Sequence, residues 1–147
     1  MPKIAMDYSK TLIYKIEHID DDSFVYVGHT TNFSKRKAQH KSCCNNESDK
    51  AFNLKLYQMI RDNGGWDNFK MIEVEKYECN DKREAERRED EVMKELKANM
   101  NARQSFRTPK EYYEQNKEKI DKYKKEYSIN LYSVIIDLFF LSLFKTW

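Results

Sequence analysis

The pattern of this chain predicts a small α/β (α+β) fold: a three-stranded mixed or antiparallel sheet flanked by helices, in the order ββααβα, with a C-terminal helical extension. Three observations carry that expectation. Runs 11–19 and 23–30 are β-rich and separated only by the turn-forming Asp20, Asp21 and Asp22, as in an antiparallel hairpin. Three later segments repeat apolar residues at helical spacing. Between the second and third of these lies one more β-branched run, 69–77. Residues 10–106 form the expected domain, 107–128 a Lys/Tyr/Glu-rich helical arm, and 129–147 an apolar C-terminal segment.

In the hairpin, Leu12, Tyr14 and Ile16 alternate with Ile13, Lys15 and Glu17, and Phe24, Tyr26 and Gly28 alternate with Val25 and Val27. Where the faces coincide, both phenols project to one side of the sheet. Asn32 or Ser34 caps a first helix over 32–42, which carries Phe33, Arg36 and His40 on one side. A polar loop containing the two cysteines follows. The second helix, 50–63, aligns Phe52, Leu56, Met59 and Ile60 for packing and stops at Gly64 and Gly65. Trp66 reads as a core or loop anchor. The third strand alternates imperfectly, with Phe69, Met71 or Ile72, and Val74 as its apolar positions. Asn80 or Asp81 caps a third helix over 81–97, and Met100 to Arg103 turns the chain back toward the body.

Length and charge narrow the function. At 147 residues the chain holds one core with at most an appendage. Lys and Arg number 27 against 25 Asp and Glu, but residues 1–106 balance at 19 against 19 and the excess sits in 107–127. A near-neutral body lacks the broad basic footprint of a protein that grips duplex DNA by charge alone. Nucleic-acid affinity must then come from a local patch such as Lys35, Arg36, Lys37 and Lys41, or from the arm, whose Lys side chains and Tyr rings suit a phosphate backbone and base stacking. The bland alternative for the arm is a solvated, weakly amphipathic helix in which Tyr113, Ile120 and Tyr127 recur every seven residues.

Cys43, Cys44 and Cys79 are odd in number and lack zinc-site spacing, which suits a reduced intracellular protein, in cytoplasm or nucleus. The N-terminus has no continuous apolar stretch, so secretion is not expected. Residues 131–144 are apolar around Asp137, short of the roughly 20 residues of a membrane span. They read as a packed terminal helix or partner-binding segment, with a membrane contact or an accidental extension of the reading frame as lesser alternatives.

Two features point to chemistry on phosphodiesters. Arg36 and His40, four apart on a helix, face the same way as the core-seeking Phe33. Glu89 falls within the apolar stripe of Ala85, Val92, Met93 and Leu96, where a carboxylate is costly unless a cation meets it. Its plain alternative is a stripe-edge residue or a salt bridge to Arg87 or Arg88.

With Leu12-Ile13-Tyr14, then Tyr26-Val27-Gly28, then Arg36, His40, Glu89 and Asn101, the chain resembles the GIY-YIG nuclease domain over about residues 10–103. The arm is similar in composition to tails on GIY-YIG proteins of large DNA viruses. Leu12 stands where the family has Gly, Val27 where it has Ile, and Val92 where it often has a large aromatic; no reactive group is lost.

The resemblance implies hydrolysis of DNA phosphodiesters with Mg²⁺ or Mn²⁺, Tyr14, Tyr26, Arg36, His40 and Glu89 at the site, and Glu89 as metal ligand. Such hydrolysis needs an activated water and charge relief on the phosphate. Tyr14, its pKa lowered by Arg36, a charged His40 or the metal, is the first choice for handling the water, with His40 as competitor; Tyr26 would orient the phosphate. Gly28 either admits a close backbone approach or ends a strand, and Asn101 either supports the Glu89 helix and the site or simply terminates a helix. His18 and His29 stand outside the motif as surface or loop residues, His29 near enough to contact phosphate. Two other functions stay open: a non-catalytic DNA-binding or scaffold protein on the same fold, and an adaptor tethered through the apolar C-terminal segment to a membrane or partner.

Overall fold

The computed structural model describes residues 6–144, with side chains as far as 135. It forms two compact units, Met1–Phe106 and Arg107–Trp147.

In the first unit the elements run β1 (Leu12–His18), β2 (Val25–Thr30), α1 (Phe33–Asn45), α2 (Lys55–Asp62), β3 (Phe69–Lys76) and α3 (Lys82–Glu95). The sheet order is β2-β1-β3 and both pairings are antiparallel. Tyr14 lies opposite Gly28 and Ile16 opposite Tyr26, so the two phenols share a face as expected.

That face packs on α1 and α2. Tyr14, Ile16, Phe69 and Met71 bury against Cys43, Cys44, Leu56, Tyr57, Ile60 and Met100, with Trp66 closing one side. The opposite face is a smaller apolar cluster of Ile13, Val25 and Val27 beneath Val92 of α3. Strand β3 alternates imperfectly because its register with β1 slips: Ile13 pairs with Glu75 but Tyr14 pairs with Glu73, leaving Val74 without a partner residue.

Three boundaries differ from the sequence expectation. Helix α1 continues to Asn45, so Cys43 and Cys44 are helical and buried rather than in a loop. Helix α2 starts at Lys55, not 50, because Asn46 and Asp49 turn their side chains onto the backbone: Ser48 N–H donates to Asn46 Oδ1 (3.1 Å) and Ala51 N–H to Asp49 Oδ1 (2.8 Å). Such local bonds compete with helix. Phe52 is thereby left outside α2, its ring under the Arg61 guanidinium at 3.6 Å. Helix α3 ends at Glu95, which leaves Leu96 exposed as the cap rather than on the packed stripe.

The caps are as expected. Asn32 accepts from Lys35 N–H and Asp81 from Glu84 N–H, each at 3.0 Å. Gly64 and Gly65 both adopt positive φ, and Gly65 N–H donates to Ile60 carbonyl at 2.9 Å, the closure that only a left-handed residue permits cheaply.

After α3 the chain runs along the free edge of β2. Asn99 and Met100 N–H donate to Val25 carbonyl, Val25 N–H donates to Asn99 Oδ1, and the Asn101 amide both accepts from Val27 N–H (3.0 Å) and donates to its carbonyl (2.8 Å). Backbone groups that an edge strand would leave open are thus paired, and residues 100–105 are held beside the sheet.

The second unit contains one helix, α4 (Pro109–Phe144). Thr108 and Glu111 close a reciprocal cap at its start, with Pro109 in the first turn. The helix runs without a break through residues 128 and 129, where the arm was expected to give way to a separate apolar segment. Tyr123, Tyr127, Ile129, Leu131, Tyr132, Val134 and Ile135 are exposed. Among the described residues no helix is long and apolar enough to cross a membrane. The side chains of 136–144, residues 145–147 and residues 1–5 lie outside the described part, and with them most of the apolar C-terminal segment and the N-terminal stretch.

Candidate active site

Strand register places Tyr14 beneath α1, and helical spacing brings Arg36 and His40 to the same point. Tyr14 is completely buried. Arg36 Nε donates to its hydroxyl at 3.0 Å and His40 Nε2 lies 2.8 Å away. Gly28 is the reason the ring fits: a Cβ there would stand 2.5 Å from the Tyr14 hydroxyl oxygen. The close approach expected at Gly28 is therefore made by a side chain across the hairpin, not by another backbone.

Tyr26 lies beside Tyr14 with ring centroids 6.3 Å apart and planes tilted by 43°. His40 is enclosed on all sides. Trp66 stacks on its ring at 6.3 Å between centroids and 12° between planes, and Nδ1 meets the Tyr57 hydroxyl at 2.9 Å. Trp66 is the core anchor expected, with a functional neighbour that its position in sequence does not show.

Glu89 reaches the site from α3, 8% exposed. Its Oε2 bonds His29 Nδ1 and its Oε1 accepts from Ser105 Oγ. Neither Arg87 nor Arg88 serves it. Arg88 binds Glu75, Glu91 and Glu95, and the Arg87 guanidinium stands over Phe106. His29, on β2, is half-buried against that carboxylate instead of being a loose surface residue.

A cavity of about 480 Å³ joins these groups, with Tyr26, Arg36, His40 and Glu89 on its wall and Lys55, Arg103 and Ser105 among its other residues. Tyr14 is not on the wall; it lies behind Arg36 and His40, so of the two motif phenols Tyr26 faces the cavity, and Tyr57 of α2 also lines it. Lys35, Lys37 and Lys41 are exposed on the outer side of α1 and are not among the cavity residues. Asn101 belongs to the wall but caps no helix: its amide pairs with β2 as described, fixing the 100–105 segment whose Ser105 reaches Glu89.

Burial overrides the local charges. It pushes the Tyr14 phenol far up, helped by the neighbouring Tyr26 and only partly opposed by Arg36, so the lowered pKa expected from a nearby cation is not realised. Tyr26 is likewise raised, by burial and then by Glu89. His40 is pulled down to about 3 by burial and by Arg36, which makes it a neutral imidazole at physiological pH and not the cation considered from sequence.

Four residues of this constellation escaped the sequence. Tyr57 carried a signal, since a tyrosine flanking the stripe of Leu56 and Ile60 needs a hydroxyl partner when buried. Lys55 and Arg103 read as ordinary surface cations, and Ser105 had no marker.

A divalent ion has one suitable hard ligand here. Among the described residues no three His, Cys, Asp or Glu side chains cluster for metal binding. A carboxylate offers about four lone-pair sites, of which His29 and Ser105 engage two. Glu89 therefore fits a hydrated Mg²⁺ or Mn²⁺ that keeps most of its waters, rather than a protein cage.

No curated protein and no solved structure matched the chain. Residues 10–103 match the family described as the GIY-YIG catalytic domain, and that span takes in every element that builds the cavity wall from Tyr26 to Arg103. With most of its length so matched, the chain belongs to the GIY-YIG family, a nuclease-type family.

Proposed function

We propose that this protein is a metal-dependent endonuclease that hydrolyses DNA phosphodiester bonds in the Glu89 cavity. The observation that carries the reading is the convergence on one cavity wall of an arginine, a carboxylate and a phenol backed by a neutral histidine.

Arg36 spends Nε on Tyr14 and one terminal nitrogen on Gln39 at 2.9 Å. Its remaining N–H groups are left for the nonbridging oxygens of a phosphate, where negative charge grows in the transition state. Arg103 and Lys55 on the same wall take the flanking backbone phosphates. Glu89, held by His29 and Ser105, would carry the divalent ion, which supplies charge neutralisation and a more acidic water.

In this reading Tyr26, on the cavity wall, takes the part first given to Tyr14. Tyr26 faces the cavity and aligns the attacking water, while behind it the Tyr14 hydroxyl meets His40 Nε2 at 2.8 Å, so that the imidazole can take up the Tyr14 proton. A neutral imidazole is the protonation state such an acceptor requires.

Cleavage of supercoiled plasmid and of a branched DNA by the wild type and by Glu89→Ala, each with Mg²⁺ and with chelator, tests the proposal. The expected result is cutting that needs both Glu89 and the metal, with loss of roughly 10³-fold or more in the variant. Folded wild type that binds DNA without cutting points to a scaffold, and cutting by Glu89→Ala overturns the site. Removal of residues 129–147 leaves cleavage intact in a nuclease and abolishes localisation or partner binding in an adaptor.

A further inference from the structure

Arg36 lines a second cavity, of about 270 Å³, besides the one that Glu89 enters. The two are neighbours through their walls: Arg36 belongs to both, and His29, the partner of Glu89, lines the second. A phosphate received by Arg36 and Glu89 therefore sits at the seam between them. The strand that carries it continues on both sides of that phosphate, and Lys55 and Arg103 serve the side of the first cavity only.

The polar groups left over in the second cavity are mainly donors. Lys82, at the start of α3, brings three N–H groups and meets Glu86 Oε1 at 3.1 Å, which leaves two of them. Gln39 has its orientation fixed, because Arg36 donates to its Oε1 at 2.9 Å and a guanidinium cannot accept; the amide N–H pair remains. Thr31 adds a hydroxyl, whereas that of Thr30 is spent on the Asn32 backbone. None of the described lining residues is a carboxylate. Such a set suits the nonbridging oxygens of a phosphodiester, which only accept, and lacks the carboxylate that a divalent cation calls for. Tyr8 and Met6 give the same cavity an apolar side, which a sugar and base use and a free phosphate does not.

We propose that this second cavity is a subsite for the nucleotide adjoining the scissile phosphate on the same strand, with Lys82 neutralising its phosphate and Gln39 and Thr31 donating to it. The inference rests on the nuclease reading for which phosphate is cut, but not for the binding of a DNA phosphate at Lys82. Lys55 and Arg103, then Arg36, then Lys82 follow one strand, a local track in a body that has no broad basic face.

Lys82→Gln is the test, since the side chain is exposed and its loss leaves the core untouched. The full chain, with chelator so that nothing is cut, is titrated with a duplex oligonucleotide over a range of salt. Kd should rise roughly three- to tenfold in the variant, and the slope of log Kd against log salt should fall by about one, the mark of one lost phosphate contact. An unchanged slope overturns the subsite.

Cleavage with Mg²⁺ then places the contact. A neutral methylphosphonate is put in turn on either side of the scissile phosphate. At one of the two positions it should raise KM in the wild type and add nothing in Lys82→Gln, because both changes remove the same interaction. Penalties that are equal in the two proteins at both positions overturn the inference. Wild type that binds DNA without cutting removes the nuclease reading alone, and the salt slope still decides whether Lys82 holds a phosphate.

Discussion

The two faces of the sheet bury similar strands in different ways. Beneath α3, Ile13, Val25 and Val27 meet Val92, an apolar cluster with no polar partner to satisfy. Beneath α1 and α2, Tyr14, His40 and Tyr57 are just as inaccessible or nearly so, yet each carries a polar atom joined to the next. The first face can tolerate any well-shaped replacement, because dispersion and the hydrophobic effect are not directional. The second tolerates few, since the Tyr14 hydroxyl must meet both Arg36 and His40, and each nitrogen of His40 a particular phenol. The motif residues of the hairpin, Tyr14, Tyr26 and Gly28, lie on the side that also holds the larger core, and only Glu89 reaches the site from α3.

Substitutions on the two faces should therefore fail differently. The largest effect is expected from Arg36→Lys, which keeps the charge but loses the planar donors: kcat should fall by about 100-fold or more with little change in melting temperature. Plasmid-cleavage kinetics beside a thermal melt would separate the two. Equal losses in both would mean that Arg36 is a packing residue and would dissolve the contrast.

Acid should weaken the polar face through His40. The folded His40 titrates at about 3, below the ordinary 6.5 of the unfolded chain. Between those values the unfolded state binds a proton that the folded state does not, so stability falls as pH drops from 6.5 toward 3. The deficit reaches about 2–3 kcal/mol by about pH 4.5. Melts between pH 7 and 4.5 should show a flatter dependence in His40→Gln; an unchanged slope would mean that His40 is charged in the fold.

Gly28→Ala sits at the meeting of the two strands on that face. A Cβ 2.5 Å from the Tyr14 hydroxyl forces the phenol away from Arg36 and His40. A loss of about 2 kcal/mol in stability together with at least tenfold in cleavage is expected. Val92→Ala, on the apolar face, should cost about 2 kcal/mol by chemical denaturation and leave the cleavage rate within about twofold. A large catalytic loss there would show that the faces are coupled through α3 and Glu89.

Much of this was legible before the fold was known. Alternation placed Tyr14 and Tyr26 on one side, i,i+4 spacing aligned Arg36 with His40, and a carboxylate inside an apolar stripe marked Glu89. Those signals are local, set by the period of a strand or a helix. His29 was misread because what a half-buried histidine at the end of a strand touches depends on a helix sixty residues later. Whether Asn101 supports the site or ends a helix stayed open in the sequence, because its pairing with Val27 depends on how the chain after α3 returns along β2. The boundaries of α1 and α2 shifted for a nearer reason: Asn46 and Asp49 bond their own backbone, which makes a turn where apolar spacing alone suggests helix.

The sequence by itself determined the order of elements, the face each strand presents and the reactive residue types, because these follow from backbone geometry and side-chain chemistry over a few residues. Tertiary structure decided which of the two motif phenols faces the cavity, which partner each nitrogen of His40 meets, and that burial overrides the Arg36 charge at Tyr14. Those outcomes depend on distances between segments far apart in the chain and on the water excluded from between them. Neither quantity is carried by local spacing.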